Sequence, residues 1–431
     1  MQDQSRGEAF PAELSQQIKS RFHHVDHDFM GRKRLYFENA GGSLRLKAAT
    51  ESAAKVDAIP DSAERIHEVA AWLKQVQLRG LEDVRIILNA KRGTIHASLT
   101  ASGAMFDMIR AVAENVPGDN IVTTMLEHPS SYDAAALYAQ RLGKELRVAR
   151  SNRETGGVEI EEVVRLVDER TCVLVLIYAS NISGAKLDLE HVVRRAREVK
   201  PDLHVIVDAV QHAPHGLIDL EKTPVDGINI APYKFFGCRG SGFSWLSDRV
   251  AVLPHHKLAG KREDFWDLGS AAPWQFAVIS EIVDYVCWIG SHYEHDADRR
   301  TLFVRGMERI GLHERALLHR LLEGSLRAPG LRRISGVTVL LDHDDLASRD
   351  LILATSFRGL DHSQAVREYE SRGVIVYERV ASSIYSGRML ESLGLEGAVR
   401  ISPLHCHTFD DVDRFLEVTR DIVRGTETRH Q

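Results

Sequence analysis

Thr171-Cys-Val-Leu-Val-Leu-Ile177 and His204-Val-Ile-Val-Asp208, separated by the amphipathic stretch 187–199, decide the fold of this chain. Two short apolar runs joined through a helical crossover predict parallel strands buried on both faces of a sheet. The alternation extends upstream, where Ile121-Val-Thr-Thr124 lies between helical stretches at 105–114 and 131–142, with another at 160–168. From about residue 85 to 245 the pattern is that of an α/β domain with a mainly parallel sheet. Ligands of such sheets bind beyond the carboxyl ends of the strands. His128, Asn181 and Asp208 each stand just after or at the end of an apolar run.

Farther along, 275–325 reads as charged helices and Pro329-Gly330 breaks the chain. Apolar runs at 337–341, 352–357, 374–377 and 399–402, with helices at 362–372 and 410–423, predict a smaller α+β domain. A chain of 431 residues is too long for one ordinary core. The expected organisation is an N-terminal segment 1–35 packing on the small domain, a large α/β domain at 36–290 and the small domain at 291–431.

Composition narrows the class. The chain is 44% hydrophobic and 27% charged with a net charge of −6, which leaves no basic field for nucleic acid or an anionic membrane. No apolar stretch reaches the roughly 20 residues that cross a bilayer, and the N-terminus lacks the apolar run of a signal peptide. Four scattered cysteines without CxxC spacing read as reduced thiols, so a cytoplasmic enzyme is expected. The 21 histidines include no HExxH and no Cys/His set with ligand spacing, so no metal site is expected.

Lys234 closes Gly227-Ile-Asn-Ile-Ala-Pro-Tyr-Lys234, and Asp208 closes the preceding apolar run. A lysine at one strand end and a carboxylate at another suit pyridoxal 5'-phosphate (PLP). The lysine holds the aldehyde, and the carboxylate keeps the pyridine nitrogen protonated. Thr100-Ala-Ser-Gly-Ala-Met opens a helix, where the amides of Gly103, Ala104 and Met105 could face a phosphate or the turn could merely cap the helix. His128 could lie against an aromatic ring or be a loop histidine. Asn181 and Gln211 offer amides to a phenolate or a carboxylate. Arg400, entering a strand, suits an α-carboxylate or a structural salt bridge.

Phe37-Glu-Asn-Ala-Gly-Gly-Ser43, Ser102-Gly-Ala-Met, Glu127-His128, Ser180-Asn-Ile-Ser-Gly184, Asp208-Ala-Val-Gln211, Tyr233-Lys234, Leu268-Gly-Ser270 and Arg400-Ile-Ser occur in one order. In that order and spacing the chain resembles the class V aminotransferase family of PLP enzymes. The resemblance is to its cysteine desulfurase/selenocysteine lyase-like branch, with isopenicillin N epimerase-like relatives, from about residue 35 to 425. It implies a type I PLP-dependent transferase fold: a mostly parallel seven-stranded sheet with a smaller α+β C-terminal domain. It implies that Lys234 carries the Schiff base and serves as base, Asp208 pairs with the pyridine nitrogen and Gln211 with the phenolate, and His128 stacks on the ring. It also implies that Asn181 and Arg400, with Asn39 nearby, hold the substrate, and that Gly103, Ala104, Met105 and Tyr233 serve the phosphate. Ser270 would reach the phosphate of a neighbouring subunit, which implies a homodimer.

Two departures redirect the expectation. Ala231-Pro-Tyr-Lys234 stands where the desulfurases have Ser-Gly-His-Lys, and Arg379-Val-Ala-Ser-Ser-Ile-Tyr-Ser-Gly387 holds no cysteine where they present one. Cys406, beyond Arg400, reads as a packing residue. The expected function is therefore a desulfurase-like C–S or β-elimination lyase that lacks the persulfide cysteine and acts on an amino acid. An aminotransferase, an epimerase and a non-catalytic regulatory protein on the same scaffold are the alternatives. Arg379, Ser383 and Tyr385 are further candidates to line the pocket, Arg379 as a receptor for a distal carboxylate.

Overall fold

The computed structural model describes residues 4–429. Its main sheet has seven strands: β1 (Thr94–Ser98), β2 (Asn120–Thr124), β3 (Glu145–Ala149), β4 (Thr171–Ile177), β5 (His204–Asp208), β6 (Gly227–Ile230) and β7 (Gly242–Leu246). Their spatial order is β1-β7-β6-β5-β4-β2-β3, with β7 antiparallel to both neighbours and every other pair parallel. The fold is thus α/β with a mostly parallel seven-stranded sheet.

Alternate residues of the central strands feed different layers, as the two-residue period requires. Val173, Val175 and Ile206 share a core with Met105, Met108 and Ile109 of helix α2 (Ala101–Asn115), which also takes in Ala134 and Ala135 of α3 (Pro129–Leu142). Leu174, Leu176, Val205 and Val207 share another with Val192 and Val193 of α4 (Leu189–Val199). Every residue of β4 is buried, so its sequence shows no polar alternation. From the β2/β4 boundary the strand order proceeds in opposite directions, which opens a crevice at the carboxyl ends. His128 follows β2, Asn181 follows β4 and Asp208 ends β5.

A second sheet orders β10 (Tyr377–Val380), β11 (Gly397–Ile401), β9 (Leu353–Phe357) and β8 (Val337–Leu340), all antiparallel. The apolar run at 374–377 divides. Val374–Ile375 pairs in parallel with Leu35–Tyr36, and only Tyr377 enters the sheet.

The expected boundary at 290–291 falls at the C-terminal end of a helix, but the helix beyond it does not belong to the small unit alone. Helix α5 (Pro273–Ser291) packs against α6 (Arg299–Glu323) so closely that a Cβ on Gly290 or Gly306 would come within 2.0 or 2.1 Å of the opposing carbonyl. Phe303, Met307 and Ile310 of α6 enter the core of the large sheet, whereas Leu317, Leu318, Leu321 and Leu322 enter that of the small one. One amphipathic face is long enough to serve both cores.

The N-terminal segment is shared between the two units; residues 1–3 lie outside the described residues. Leu14 and Ile18 of α1 (Ala12–Ser20), with Phe10 and Phe22, join the large core. Phe22 meets Phe236 and Tyr285 edge-on at 5.8 and 5.5 Å. Such aromatic pairs add about 0.5–1.5 kcal/mol beyond their area burial. The segment also reaches the smaller unit, where Leu35 is buried in its core and pairs with Val374, and Lys19 meets Asp411 at 3.1 Å.

Candidate active site

The crevice holds a cavity of about 330 Å³, near the lower end of the roughly 300–1,000 Å³ usual for ligand pockets. Lys234 reaches it because the chain turns sharply after β6. Two residues on, Phe236 adopts φ +64°, a left-handed conformation that costs a non-glycine residue about 1–3 kcal/mol. Its ring packs on Phe22, Phe235 and His405, Ser43 Oγ accepts from its amide at 2.9 Å, and Leu46 donates to its carbonyl at 2.8 Å. These contacts hold the turn.

Lys234 Nζ donates to Gln211 Oε1 at 3.1 Å. Burial first, then the charge of Arg400, pulls the Lys234 ammonium down to about 8. A neutral amine is therefore accessible near physiological pH, as a nucleophile or a base requires. Asp208 Oδ1 accepts from the Val210 amide at 3.0 Å and Oδ2 from Ser131 Oγ at 3.2 Å.

His128 caps α3. Its Nδ1 accepts from the Ser130 amide at 3.2 Å and lies 2.7 Å from Ser130 Oγ, so the neutral ring carries its proton on Nε2. Burial, reinforced by Lys234, Arg379 and Arg388 and opposed by Asp208, holds this histidine well below its usual range. Behind it Glu127 is wholly buried, with Oε1 accepting from the Ile177 amide at 2.7 Å and Thr124 Oγ1 at 3.0 Å. Burial and the nearby Asp208 push Glu127 up to about 8, so its carboxyl is protonated at neutral pH.

Asn181 lines the cavity with its buried Oδ1 unpartnered, while its carbonyl accepts from Arg400 Nη1 at 2.9 Å. The other arm of Arg400 meets Glu38 at 2.5 Å. Tyr233 lines the wall under the guanidinium of Arg239, 4.4 Å above its ring.

The free amides of this helix start lie before Gly103, Ala104 and Met105. Thr100 is the N-cap of α2, and its hydroxyl accepts from Gly103 at 3.0 Å. Ala104 donates to the Thr100 carbonyl, and the side chains of Ala104 and Met105 are buried in the helix-packed core. The first-turn amides of Ala101 and Ser102 lack intrahelical acceptors and lie on the cavity wall. Asn39 is likewise not a wall residue: it donates to the carbonyls of Tyr36 and Ser402 and accepts from Leu44. That pins the chain so that its neighbour Glu38 reaches Arg400. Ser270 is exposed beside a separate hollow and does not line this cavity.

PLP fits the residues present. The first-turn amides, the exposed Arg239 and the buried, unpartnered Ser241 Oγ would cradle its phosphate. Lys234, Gln211, His128 and Asp208 would serve the ring. Thr100, Ser102, Arg239, Ser241 and Glu38 were not assigned from sequence. The run Gly237-Cys-Arg-Gly-Ser-Gly lacked the strand–helix context of a phosphate loop, yet on its way into antiparallel β7 it crosses the cavity. Arg239→Met is expected to weaken PLP binding by the apoprotein about tenfold, the effect of losing one charge-assisted hydrogen bond. Titration of the visible absorbance band checks this, and unchanged affinity would remove Arg239 from the cradle.

Among the described residues no three His, Cys, Asp or Glu side chains converge as a metal site. His212 and His215 pair instead with Asp350 and Glu314, at 3.0 and 2.7 Å. No described helix is long and apolar enough to cross a membrane.

The family model for aminotransferase class V matches residues 35–415. A cysteine desulfurase of Cronobacter sakazakii is 24% identical over 316 residues, covering 67% of this chain and 75% of that protein. A probable cysteine desulfurase of Streptomyces coelicolor is 29% identical over 223 residues, and there the match spans 51% of each. Among solved structures, an apo cysteine desulfurase from Thermococcus onnurineus superposes with a TM-score of 0.77 at 18% identity, over 91% of this chain and 95% of that one. A cysteine desulfurase from Escherichia coli gives 0.76 at 19% identity, over 97% and 99%. The two structures share the fold.

Proposed function

The chain belongs to the class V aminotransferase family of PLP-dependent enzymes, and from that premise we propose that it is a lyase breaking a C–S or similar bond at Cβ of an amino acid. Support for the lyase reading comes from the cysteine desulfurase relatives. Support for a mechanism without a protein thiol comes from the loop 381–386, which holds serines and Tyr385 and no cysteine. Cys406 is 1% exposed within the large core, and burial holds its thiol well above the usual range.

When bound, PLP supplies an electron-accepting ring that stabilises negative charge at the substrate Cα. The side chains divide the remaining work. Asp208, a buried carboxylate anchored by Val210 and Ser131, keeps a proton on the ring nitrogen. Lys234, depressed to about 8, would hold the aldehyde and, once freed, take the Cα proton onto Nζ. His128, neutral and on the cavity wall, would pack against the ring. Asn181 and Arg400 orient the α-carboxylate, which must compete with Glu38 for the guanidinium. The Cβ–S bond then breaks with its electron pair leaving on sulfur, with no cysteine to receive it.

A second copy of the chain completes the site in this reading. Leu99 at the cavity wall is 76% exposed and Leu268, beside Ser270, is 61% exposed. An isologous dimer would cover both and bring Ser270 to the partner's phosphate. Incubation of the PLP-loaded protein with L-cysteine and S-substituted cysteines is expected to release pyruvate and ammonia with sulfide or the corresponding thiol. If none is released and amino groups pass to a keto acid instead, the protein is an aminotransferase.

A further inference from the structure

Arg379 is a buried cation that the chemistry above does not use. It lies on β10, where Tyr377 stands opposite Arg400 and Arg379 opposite Ala398 of β11. Opposed residues and residues two apart along a strand share a face, so Arg379 and Arg400 project from the same side of the small sheet. Ala398, on that side, packs in one cluster with Leu126, Ile177 and Ile182, which flank the carboxyl ends of β2 and β4. The side bearing both arginines therefore faces the crevice. As diagonal cross-strand neighbours, their backbones are about 7–8 Å apart, within reach for long side chains.

The two differ in partners. Arg400 has Glu38 and the Asn181 carbonyl. Arg379 is 5% exposed, donates from Nη2 to the Tyr385 carbonyl at 2.7 Å, and has a buried Nε with no acceptor. Among the described residues no carboxylate lies within ion-pair distance of it. A guanidinium removed from water without an anion is unfavourable. Burial and the adjacent Arg400 bring it down to about 10, still charged at neutral pH. Its charge acts on both Lys234 and His128, although Arg379 is not itself part of the cavity wall. The Tyr385 whose carbonyl it holds also stacks over His128, 6.1 Å between ring centres at 28°.

We propose that Arg379 receives an anion on the substrate side chain, so that the site takes amino acids whose short side chain ends in an oxyanion, a carboxylate or a sulfinate. This assignment rests on the reading of the cavity as a PLP site acting on an amino acid. A forked donor with free N–H groups suits such an oxyanion, whereas a neutral side chain leaves Arg379 buried without an anion.

The test compares ligands of matched length on the PLP-loaded protein, by calorimetry and by the change in the visible band. L-aspartate and L-cysteine sulfinate are set against L-2-aminobutyrate and L-alanine. The acidic pair is expected to bind about 10- to 100-fold more tightly, the range of a charge-assisted hydrogen bond. Arg379→Gln should collapse that ratio and leave the neutral ligands nearly unchanged, while Arg379→Lys restores part of it. Equal weakening of both classes in Arg379→Gln would overturn the proposal, since the arginine would then serve the α-carboxylate or the loop. So would the absence of any acidic preference in the wild type. A wild-type protein that forms no visible band with PLP overturns the underlying site reading instead.

Discussion

Lys234→Ala is expected to abolish the visible band that PLP forms with the wild-type protein and to lower turnover by about 10²–10⁴-fold from the lost proton transfer alone. Loss of the covalent anchor adds to this. The fold should survive, because Lys234 is a buried ammonium disfavoured by burial and by the charge of Arg400. Removing it takes strain from the apoprotein, which should melt within a few degrees of wild type. The same environment sets a pH dependence. With the lysine lowered to about 8, the neutral amine becomes the major form above that pH, whereas an ordinary lysine reaches this point near about 10.4. Capture of PLP by the apoprotein, followed as growth of the band, should accelerate through pH 8 and level about one unit above it. A rate that keeps climbing to pH 10 would show that the lysine is not desolvated as the structure has it.

Asp208→Asn should produce the second-largest effect. The substitution keeps shape and leaves an oxygen to accept from the Val210 amide, while Ser131 Oγ can turn to accept instead of donate. What it removes is the negative charge that holds a proton on the ring nitrogen. Preorganised electrostatic contributions of this kind are worth on the order of 10²–10³ in kcat. The loss should appear in kcat more than in KM, because the charge acts as negative charge develops at Cα, not when substrate docks. Steady-state kinetics of the PLP-saturated variant make the check, and a defect confined to KM would refute the role.

The residues that sequence brings to this cavity share one local property. Lys234, Asp208, Asn181 and His128 follow or end an apolar run, and strand ends of a parallel sheet converge at the switch point. Gly103, Ala104 and Met105 failed for an equally local reason. The helix begins at Ala101 behind the Thr100 cap, so the free amides lie two residues earlier than glycine content suggests. Asn39 failed because its amide is consumed by carbonyls far along the chain, at Ser402 among others.

Sequence alone determined the alternation of strands and helices, the parallel sheet and the strand-end position of Lys234 and Asp208. These follow from periodicity and run length, which are properties of neighbouring residues. Tertiary structure alone decided which charges are compensated: Glu38 meets Arg400 across the whole chain, Ser241 Oγ is left unpartnered, and Arg379 is buried without a carboxylate. It also decided that α6 serves both cores. Pairing and desolvation depend on which distant elements pack together, and the energy of a charged group is set by those neighbours and not by its position in the chain.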